Sequence, residues 1–422
     1  MRIATLQFAP KLGDVEGNIR RAEELLKRGT RRNGRDRDGV EEVGGDGGGC
    51  GIEELRPEIL VLPELAFTGY NFPSLEAITP YLEPVGEGPT AKWARETAKR
   101  LRCKVCVGYP EIQRASSLSS SSDQEPPVGT RPPADGDKCF NSLLVVDDDG
   151  QILLNYRKRF LYYTDETWAS EGDAGWGYHS FTFGERQPQH QSKSSSSSSN
   201  DENPVVSVPK QKRVPTTFGI CMDINPYRFE APFTAWEFAN RVLDSQSQLV
   251  ILSMAWLTLL GPEELAALGR RPDMDTFNYW IRRFWPLIEK KMGHEGDIDD
   301  ESYHEHGHGN NEGEVVGPPM HKKKVVIVFA NRCGEEKGGP EDKPPTARYA
   351  GTSAVIAVTQ QQPYVADGDK DGENKKEFDV KILCWDMMGA GEEGICFADT
   401  RAEPKTVFGL VRRQSSESGE SE

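Results

Sequence analysis

Residues 219–223 read Gly-Ile-Cys-Met-Asp, and they close the strand-like run 214–220. A cysteine that ends a strand beside a glycine can present its sulfur at a sharp turn. Backbone N–H groups beyond the sulfur are then available to bind an oxyanion. Two other apolar runs end in groups that such a cysteine needs, a carboxylate at Glu64 and an ammonium at Lys158. Together the three strand ends predict a cysteine hydrolase.

A base is the first requirement of this chemistry. Cysteine attacks an amide as the thiolate, and an ordinary thiol pKa of roughly 8.5 leaves little thiolate at neutral pH. None of the seven histidines has a convincing setting, and His179, the nearest to Cys221 along the chain, falls in a strand-like segment. Glu64 is the better candidate, because partial desolvation at the end of an apolar strand raises the pKa of a carboxylate. The alternative interpretation is that Glu64 caps or buttresses the following turn.

Lys158 is the candidate for stabilising the oxyanion and for favouring the thiolate. The alternative is a surface position, because Arg157 and Arg159 flank it and three cations in a row usually face solvent. The order of the three motifs, rather than any one of them, favours the catalytic interpretation.

The composition separates an apolar core from polar tracts. The chain has 422 residues and a formal net charge of −16, with a mean hydropathy of −0.62 and a pI near 5.1. An acidic surface repels phosphate backbones, so nucleic acid is not an expected partner. We predict a single domain over residues 1–412 and a disordered tail over 413–422. Low-complexity insertions are predicted near 30–51, 114–137, 186–204, 293–321, 335–346 and 362–376.

The cysteines and histidines do not predict a metal site. Cys103 and Cys106 form a lone CxxC with no second pair at zinc spacing, and they are interpreted as reduced core thiols. The His-rich stretch 304–308 lies in a charged tract and is interpreted as a solvated loop. No secretory leader is expected, because the first residues are strand-like, and no apolar run has membrane-spanning length. The expected location is the cytoplasm, with no membrane partner, and an additional mitochondrial or nuclear fraction is left open.

Hydrophobic periodicity predicts a two-sheet α/β domain, in which strands recur from end to end. Helices are predicted at 18–27, at 90–101 with Thr90 as N-cap, at 233–242, and along an aromatic stripe between 277 and 288. Strands are predicted at 3–8, 59–62, 104–109, 141–146, 151–156, 214–220, 249–254, 324–330, 351–358 and 380–385.

The three motifs resemble a known family. Leu62-Pro63-Glu64-Leu65, Tyr156-Arg157-Lys158 and Gly219-Ile220-Cys221-Met222-Asp223, in this order, resemble the nitrilase superfamily of carbon–nitrogen hydrolases. Residues 330–334 (Ala-Asn-Arg-Cys-Gly) and 351–356 are similar to later strand ends of that family. The resemblance covers about residues 1–400 and implies an αββα sandwich.

The resemblance also implies roles. It makes Glu64 the base, Lys158 the oxyanion stabiliser and Cys221 the nucleophile, with no metal or organic cofactor. The backbone N–H of Met222 is the expected second oxyanion donor. A second glutamate orients the lysine in many members of the family, and Glu166 matches it best.

One segment narrows the resemblance to a branch. The run 225–233, Asn-Pro-Tyr-Arg-Phe-Glu-Ala-Pro-Phe, is similar to the fungal protein N-terminal asparagine amidohydrolases. This implies deamidation of N-terminal Asn or Gln of polypeptides, feeding the arginine branch of the N-degron pathway. The alternatives are a small-molecule amidase or carbamoylase and a non-catalytic binding scaffold. Asn-versus-Gln preference is left open, as is the choice between monomer and homodimer.

Two groups of the site have alternative candidates: the carboxylate that binds the substrate α-ammonium and the glutamate that orients Lys158. A protein N-terminus needs a group that binds its α-ammonium, and a buried carboxylate is suited to that. Asp223 and Glu230 are the candidates, and the alternative for Asp223 is a hydrogen bond that fixes the nucleophile turn. For the glutamate that orients the lysine, Glu171 is the rival of Glu166.

Overall fold

The structure, a computed structural model, describes residues 1–29, 50–115, 132–173, 175, 177–184, 211–294, 322–361 and 379–409. Most residues of the predicted insertions, the tail 413–422 and the His-rich stretch 304–308 lie outside these ranges. One predicted insertion, 335–346, is described and carries a short strand instead, for the reason given below. Within the described residues, no helix is both long and apolar enough to cross a membrane.

The described residues form fifteen strands. In chain order these are β1 (Arg2–Gln7), β2 (Ile59–Val61), β3 (Lys104–Gln113), β4 (Lys138–Val146), β5 (Ile152–Arg157), β6 (Gly177–Gly184), β7 (Gln211–Ile220), β8 (Leu249–Met254), β9 (Lys322–Asn331), β10 (Glu335–Lys337), β11 (Thr346–Arg348), β12 (Ala354–Gln361), β13 (Asp379–Met387), β14 (Gly394–Asp399) and β15 (Thr406–Gly409).

Helices occupy the connections between strands. The α-helices are α1 (Val15–Arg28), α2 (Ile52–Leu55), α3 (Leu75–Ile78), α4 (Gly88–Leu101), α5 (Glu237–Asp244), α6 (Pro262–Leu268), α7 (Met274–Arg283) and α8 (Pro286–Glu289). Short 3-10 turns lie at Thr79–Tyr81, Asp165–Thr167, Cys221–Ile224, Tyr227–Phe229 and Phe233–Ala235.

The strands form two large sheets and one small one. The first sheet has the order β14-β1-β2-β3-β4-β5, and the second has the order β15-β13-β12-β9-β8-β7-β6. In the first sheet β1, β2 and β3 are parallel, and in the second β7, β8 and β9 are parallel. Within each sheet, parallel neighbours bring their carboxyl ends to the same edge. β2 of the first sheet and β7 of the second both end at such an edge, where a site can form.

The two large sheets pack face to face with helices outside. On β2, Ile59 and Val61 join the core between the sheets, whereas Leu60 joins the core that α1 and α4 cover. On the other side, Trp280 of α7 stacks on Phe329 of β9 with ring centroids 4.8 Å apart. A strand covered on both faces is apolar along its length, which explains the unbroken apolar runs. The predicted αββα sandwich is confirmed.

Several element boundaries differ from the sequence prediction. The aromatic stripe between 277 and 288 is divided between α7 and α8, and the strand predicted at 351–358 is β12, which begins at Ala354. The helix predicted at 233–242 begins at Glu237, because a 3-10 turn precedes it and Trp236 adopts a left-handed φ of 41°. The helix assigned Thr90 as N-cap begins at Gly88. Residues 335–346 contain β10, because Glu336 is buried and takes backbone and side-chain donors from two other segments.

Glu83 anchors the start of α4. Its carboxylate, 2% exposed, accepts the backbone N–H of Thr90 at 3.1 Å and the Thr90 hydroxyl at 2.7 Å. Burial raises the pKa of Glu83 from 4.5 to about 7, although the hydrogen bonds from Thr90 oppose the shift.

The raised pKa of Glu83 predicts a pH-dependent stability. The folded state binds this proton more tightly than the unfolded chain, so its contribution is largest below the unfolded pKa and is lost as pH rises through the folded pKa. The free energy of unfolding should therefore fall by at most about 3 kcal/mol over this window. Urea unfolding at about pH 5 and about pH 7.5 measures it, and Glu83→Gln should reduce the fall. An equal fall in both proteins would contradict the prediction.

Candidate active site

Glu64 lies just beyond β2 and is fully buried. Its Oε1 accepts hydrogen bonds from Lys158 Nζ at 2.6 Å and from Asn141 Nδ2 at 2.7 Å. Its Oε2 accepts the backbone N–H of Ala255 at 2.8 Å. Both carboxylate oxygens are therefore fixed, one on the ammonium and one on the chain that follows β8.

A glycine on the neighbouring strand allows this placement. A Cβ at Gly108 of β3 would lie 2.7 Å from the Glu64 Cα and 2.7 Å from the Leu65 nitrogen. Real Cβ atoms do not approach backbone so closely, so a side chain here would displace the segment that carries Glu64. The backbone turns sharply at the same point, where Leu65 has a φ of 45°.

Lys158 is also fully buried, directly after β5. Its Nζ lies 2.6 Å from Glu64 Oε1 and 2.6 Å from Asp165 Oδ2. Asp165 Oδ2 also accepts the Tyr70 hydroxyl at 3.1 Å and the Tyr162 backbone N–H at 3.0 Å. The ammonium is thus held between two carboxylates, which pairs a charge that burial alone would make very costly.

Cys221 stands at the junction of β7 and the turn Cys221–Ile224 and is 8% exposed. Its φ of 42° is in the left-handed region, which an L residue adopts only where the surroundings hold it there. Burial and the charge of Glu64 raise the pKa of the thiol, whereas Lys158 and the Ala255 N–H act in the opposite direction. Cys221 is therefore within electrostatic reach of both Glu64 and Lys158.

The pKa shifts in the cluster have opposing causes. Burial raises the pKa of Glu64, with Lys158 opposing the rise and the charge of Asp165 adding to it. Burial on its own would lower the pKa of Lys158, but Asp165 and Glu64 together raise it well above its usual value. Because Lys158 Nζ is shared between Glu64 and Asp165, it is already paired before a thiolate forms. The arrangement therefore suits proton transfer from the thiol to Glu64 as the sulfur attacks.

Asn141 of β4 completes the cluster. Its Nδ2 donates to Glu64 Oε1 at 2.7 Å and to Asp165 Oδ1 at 2.9 Å, and its backbone carbonyl accepts the Lys158 N–H at 2.8 Å. The sequence analysis missed this residue. The available signal was the polar pair Asn141-Ser142 at the start of the run 141–146, which is otherwise apolar.

This geometry can be compared with known proteins. The family model described as carbon–nitrogen hydrolase matches residues 2–221, just over half of the chain, from β1 to Cys221. The chain belongs to the carbon–nitrogen hydrolase family. Its members hydrolyse carbon–nitrogen bonds, so the buried Glu64, Lys158 and Cys221 of this hydrolase lie in a fold that supports that chemistry.

Relatives with a more specific name match nearly the whole hydrolase. "Protein N-terminal amidase" of Saccharomyces cerevisiae is 24% identical over 96% of this chain and 95% of its own length. The protein of the same name from Schizosaccharomyces pombe is 29% identical over 89% of this chain and 97% of its own length. A crystal structure of N-terminal amidase with an Asn-Glu-Ala peptide has a TM-score of 0.58 at 21% identity, covering 98% of this chain and 99% of that one. The structural likeness shows a shared fold.

Glu166 does not occupy the place that the sequence analysis gave it. Among the described residues, the carboxylates on Lys158 Nζ are Glu64 and Asp165, and Glu166 is exposed. Neighbouring side chains of the turn Asp165–Thr167 point in different directions, so only one of the two acids faces inward. The rival Glu171 is also exposed, where it accepts the Tyr227 hydroxyl at 2.8 Å.

Asp223 is fully buried and has four donors. Its Oδ1 accepts the backbone N–H groups of Arg159 at 3.0 Å and Phe160 at 2.9 Å. Its Oδ2 accepts the Tyr156 hydroxyl and the Ile220 N–H, both at 2.8 Å. These bonds tie the segment after Lys158 to the nucleophile turn, which is the alternative role considered for Asp223 in the sequence analysis.

Met222 and Glu230 are the first and last residues of the segment 222–230, which follows the nucleophile. Glu230 is exposed, directly after the turn Tyr227–Phe229. Met222 is buried in the 3-10 turn that begins at Cys221, and the first N–H groups of such a turn have no acceptor within it.

Among the described residues, no group of three or more His, Cys, Asp or Glu side chains is arranged to hold a metal ion.

Proposed function

We propose that this hydrolase is a protein N-terminal amidase, which converts N-terminal Asn or Gln of polypeptides to Asp or Glu and releases ammonia. The observation that carries the proposal is the buried cluster of Glu64, Lys158 and Cys221 in a chain that aligns with two yeast N-terminal amidases over at least 89% of its length. The peptide in the related crystal structure begins with Asn, which fits the same substrate class.

In the first half of the proposed reaction, the Cys221 sulfur attacks the side-chain carboxamide carbon. Glu64 takes the thiol proton as the carbon–sulfur bond forms. Lys158 and the Met222 N–H stabilise the tetrahedral oxyanion. When the oxyanion collapses, the carbon–nitrogen bond breaks and the leaving nitrogen takes the proton from Glu64, so ammonia departs and a thioester remains.

In the second half, water hydrolyses the thioester. Glu64, again a carboxylate, removes a proton from the attacking water, and the same donors hold the second oxyanion. Collapse expels the sulfur, which recovers the proton as Cys221 thiol. The net reaction consumes one amide and one water and needs no cofactor.

The proposed product has a consequence beyond the enzyme. An N-terminal Asp or Glu is a secondary destabilising residue, so the reaction feeds the arginine branch of the N-degron pathway. We place the activity in the cytoplasm. All eight cysteines are free thiols in the structure, which fits a reducing compartment.

For the substrate α-ammonium, we favour Glu230 over Asp223. The carboxylate of Glu230 is exposed beside the nucleophile segment. Asp223 would have to exchange one of its four donors for the ammonium.

The proposal predicts that blocking the α-amino group abolishes turnover. We expect ammonia release from an Asn-initiated peptide and none from its N-acetylated twin, because acetylation removes the positive charge that the enzyme must bind. A coupled ammonia assay measures both, with Cys221→Ala as the control for background hydrolysis. Equal turnover of the two peptides, or turnover of small free amides only, would indicate a small-molecule amidase instead.

A further inference from the structure

Residues 331–336, Asn-Arg-Cys-Gly-Glu-Glu, form the connection that runs from the end of β9 to the start of β10. Asn331 Oδ1 accepts the Trp256 N–H at 2.8 Å, and Asn331 Nδ2 donates to the Gly351 carbonyl at 2.9 Å. Trp256 directly follows Ala255, whose N–H binds Glu64. The beginning of this connection therefore braces one side of the site.

Glu336, at the other end of the connection, is 4% exposed. Its Oε2 accepts the backbone N–H groups of Tyr70 at 2.9 Å and Asn71 at 3.0 Å, and the Tyr349 hydroxyl at 2.6 Å. Three donors on one carboxylate oxygen are far more than a surface glutamate makes. They fix the backbone six and seven residues after Glu64.

The charge of Glu336 is compensated inside the protein. Its Oε1 lies 3.2 Å from Nη2 of Arg332, which is fully buried. The Tyr349 ring also faces this guanidinium, with the ring centroid 4.9 Å from the Arg332 Cζ. A buried ion pair of this kind is weak support for stability by itself, because desolvation offsets the attraction. The ion pair matters here because it keeps Glu336 in position to bind the backbone of Tyr70 and Asn71.

The segment that Glu336 holds carries a contact of the catalytic lysine. Tyr70 is 2% exposed, its hydroxyl donates to Asp165 Oδ2 at 3.1 Å, and its ring centroid lies 5.5 Å from Lys158 Nζ. A continuous route runs from Glu336 through the Tyr70 backbone and hydroxyl to Asp165, and from Asp165 to Lys158.

The backbone before Tyr70 shows why an external clamp is needed. Gly69 has a φ of +82°, and a Cβ there would lie 2.8 Å from the Leu12 Cα and 3.0 Å from Glu336 Oε1. The chain thus turns in a left-handed conformation immediately before the two N–H groups that Glu336 binds. These N–H groups cannot join a regular strand or helix at such a turn, so the carboxylate takes them.

We propose that Glu336 is a positioning residue for this hydrolase. It holds the Tyr70 hydroxyl on Asp165, so that Lys158 is presented to the oxyanion in a single geometry. The inference rests on the proposed role of Lys158 in the reaction. It gives the connection 331–336 a catalytic purpose, whereas a purely structural role would affect stability alone.

A double-mutant cycle tests the route. Glu336→Met removes the acceptor for the Tyr70 and Asn71 N–H groups, whereas a glutamine oxygen could still accept both. This variant should lower kcat about tenfold with little change in KM, because a small misplacement of Lys158 weakens only the transition state. Tyr70→Phe should have a similar effect, and the double variant should be no slower than the worse single variant, because both changes break one route. The matched control is Glu335→Met, at an exposed neighbour paired with Arg348, and it should leave kcat unchanged.

A second readout separates this inference from the substrate assignment. Alkylation of Cys221 by iodoacetamide, followed by mass spectrometry, reports thiolate stabilisation without any peptide substrate. We expect slower alkylation in Glu336→Met and in Tyr70→Phe, with no further slowing in the double variant. If the Asn peptide is not turned over but this pattern holds, the proposed function fails and the positioning role stands. Losses that multiply in the double variant, or a loss of stability with unchanged kcat and alkylation, would overturn the positioning role.

Discussion

Glu64→Gln is expected to lower kcat/KM for an Asn-initiated peptide by about 10³-fold, the scale of lost general base catalysis. The amide is close in size to the carboxylate, and its oxygen can still accept hydrogen bonds from Lys158 and Asn141. Its NH2 group then faces the Ala255 N–H, which loses its acceptor. The substitution therefore removes the proton acceptor and one backbone hydrogen bond. A loss that falls on kcat, with KM nearly unchanged, is the expected form of the result.

The pH dependence of kcat/KM is a second test of Glu64 as the base. Glu64 works as the carboxylate, and burial raises its pKa. In the wild-type enzyme kcat/KM should therefore fall as pH decreases through that raised pKa, starting at a higher pH than for a solvent-exposed glutamate. Lys158, with its pKa well above the usual value, stays protonated and adds no limb near neutrality. We expect kcat/KM to fall above about pH 8 only because the substrate α-amino group loses its proton.

These limbs can be assigned by substitution. Glu64→Gln should abolish the acid limb in the residual activity. Glu83→Gln changes another buried carboxylate, whose hydrogen bonds come from Thr90, and it should leave the acid limb in place. A profile of kcat/KM from about pH 5 to about pH 9 measures both. An acid limb that survives in Glu64→Gln would mean that a different group is the base.

The sequence predicted Glu64, Lys158 and Cys221 as one cluster for a physical reason. Each residue ends an apolar strand. Glu64 and Lys158 follow β2 and β5 of the first sheet, Cys221 follows β7 of the second, and the packing of the two sheets brings these ends together. The apolar runs predicted two sheets, and the family resemblance implied that they form an αββα sandwich. What the structure adds is contact geometry, and the catalytic roles remain proposals.

Three contacts could not be predicted, because they depend on the direction of side chains. Asp165 and Glu166 are adjacent acids in a short 3-10 turn, and nothing in their order tells which one faces Lys158. Asn141 reaches Glu64 and Asp165 only because β4 pairs with β5, which brings its side chain beside Lys158. Glu336 was hidden for a similar reason, since its Gly- and Glu-rich neighbourhood has the composition of an exposed loop.

Asp165→Asn is expected to lower kcat about 10²-fold, because a displaced Lys158 loses its alignment with the oxyanion. The substitution removes one of the two negative charges that hold the ammonium. Lys158 Nζ then pairs with the carboxylate of Glu64 alone. In addition, the negative charge of Asp165 no longer raises the pKa of Glu64. The acid limb of the kcat/KM profile should therefore move to lower pH in this variant.

Glu166→Gln is the matched control, because it neutralises the next residue in the same turn. Its side chain is exposed, so kcat should change by less than about twofold and the acid limb should not move. Steady-state kinetics and pH profiles of the two variants, measured side by side, decide between the adjacent acids. If Glu166→Gln loses activity and Asp165→Asn does not, the turn must rearrange when substrate binds and bring Glu166 to Lys158. A carboxylate that orients the lysine would then be selected by substrate binding instead of being fixed in the folded chain, and Asp165 would serve only the resting enzyme.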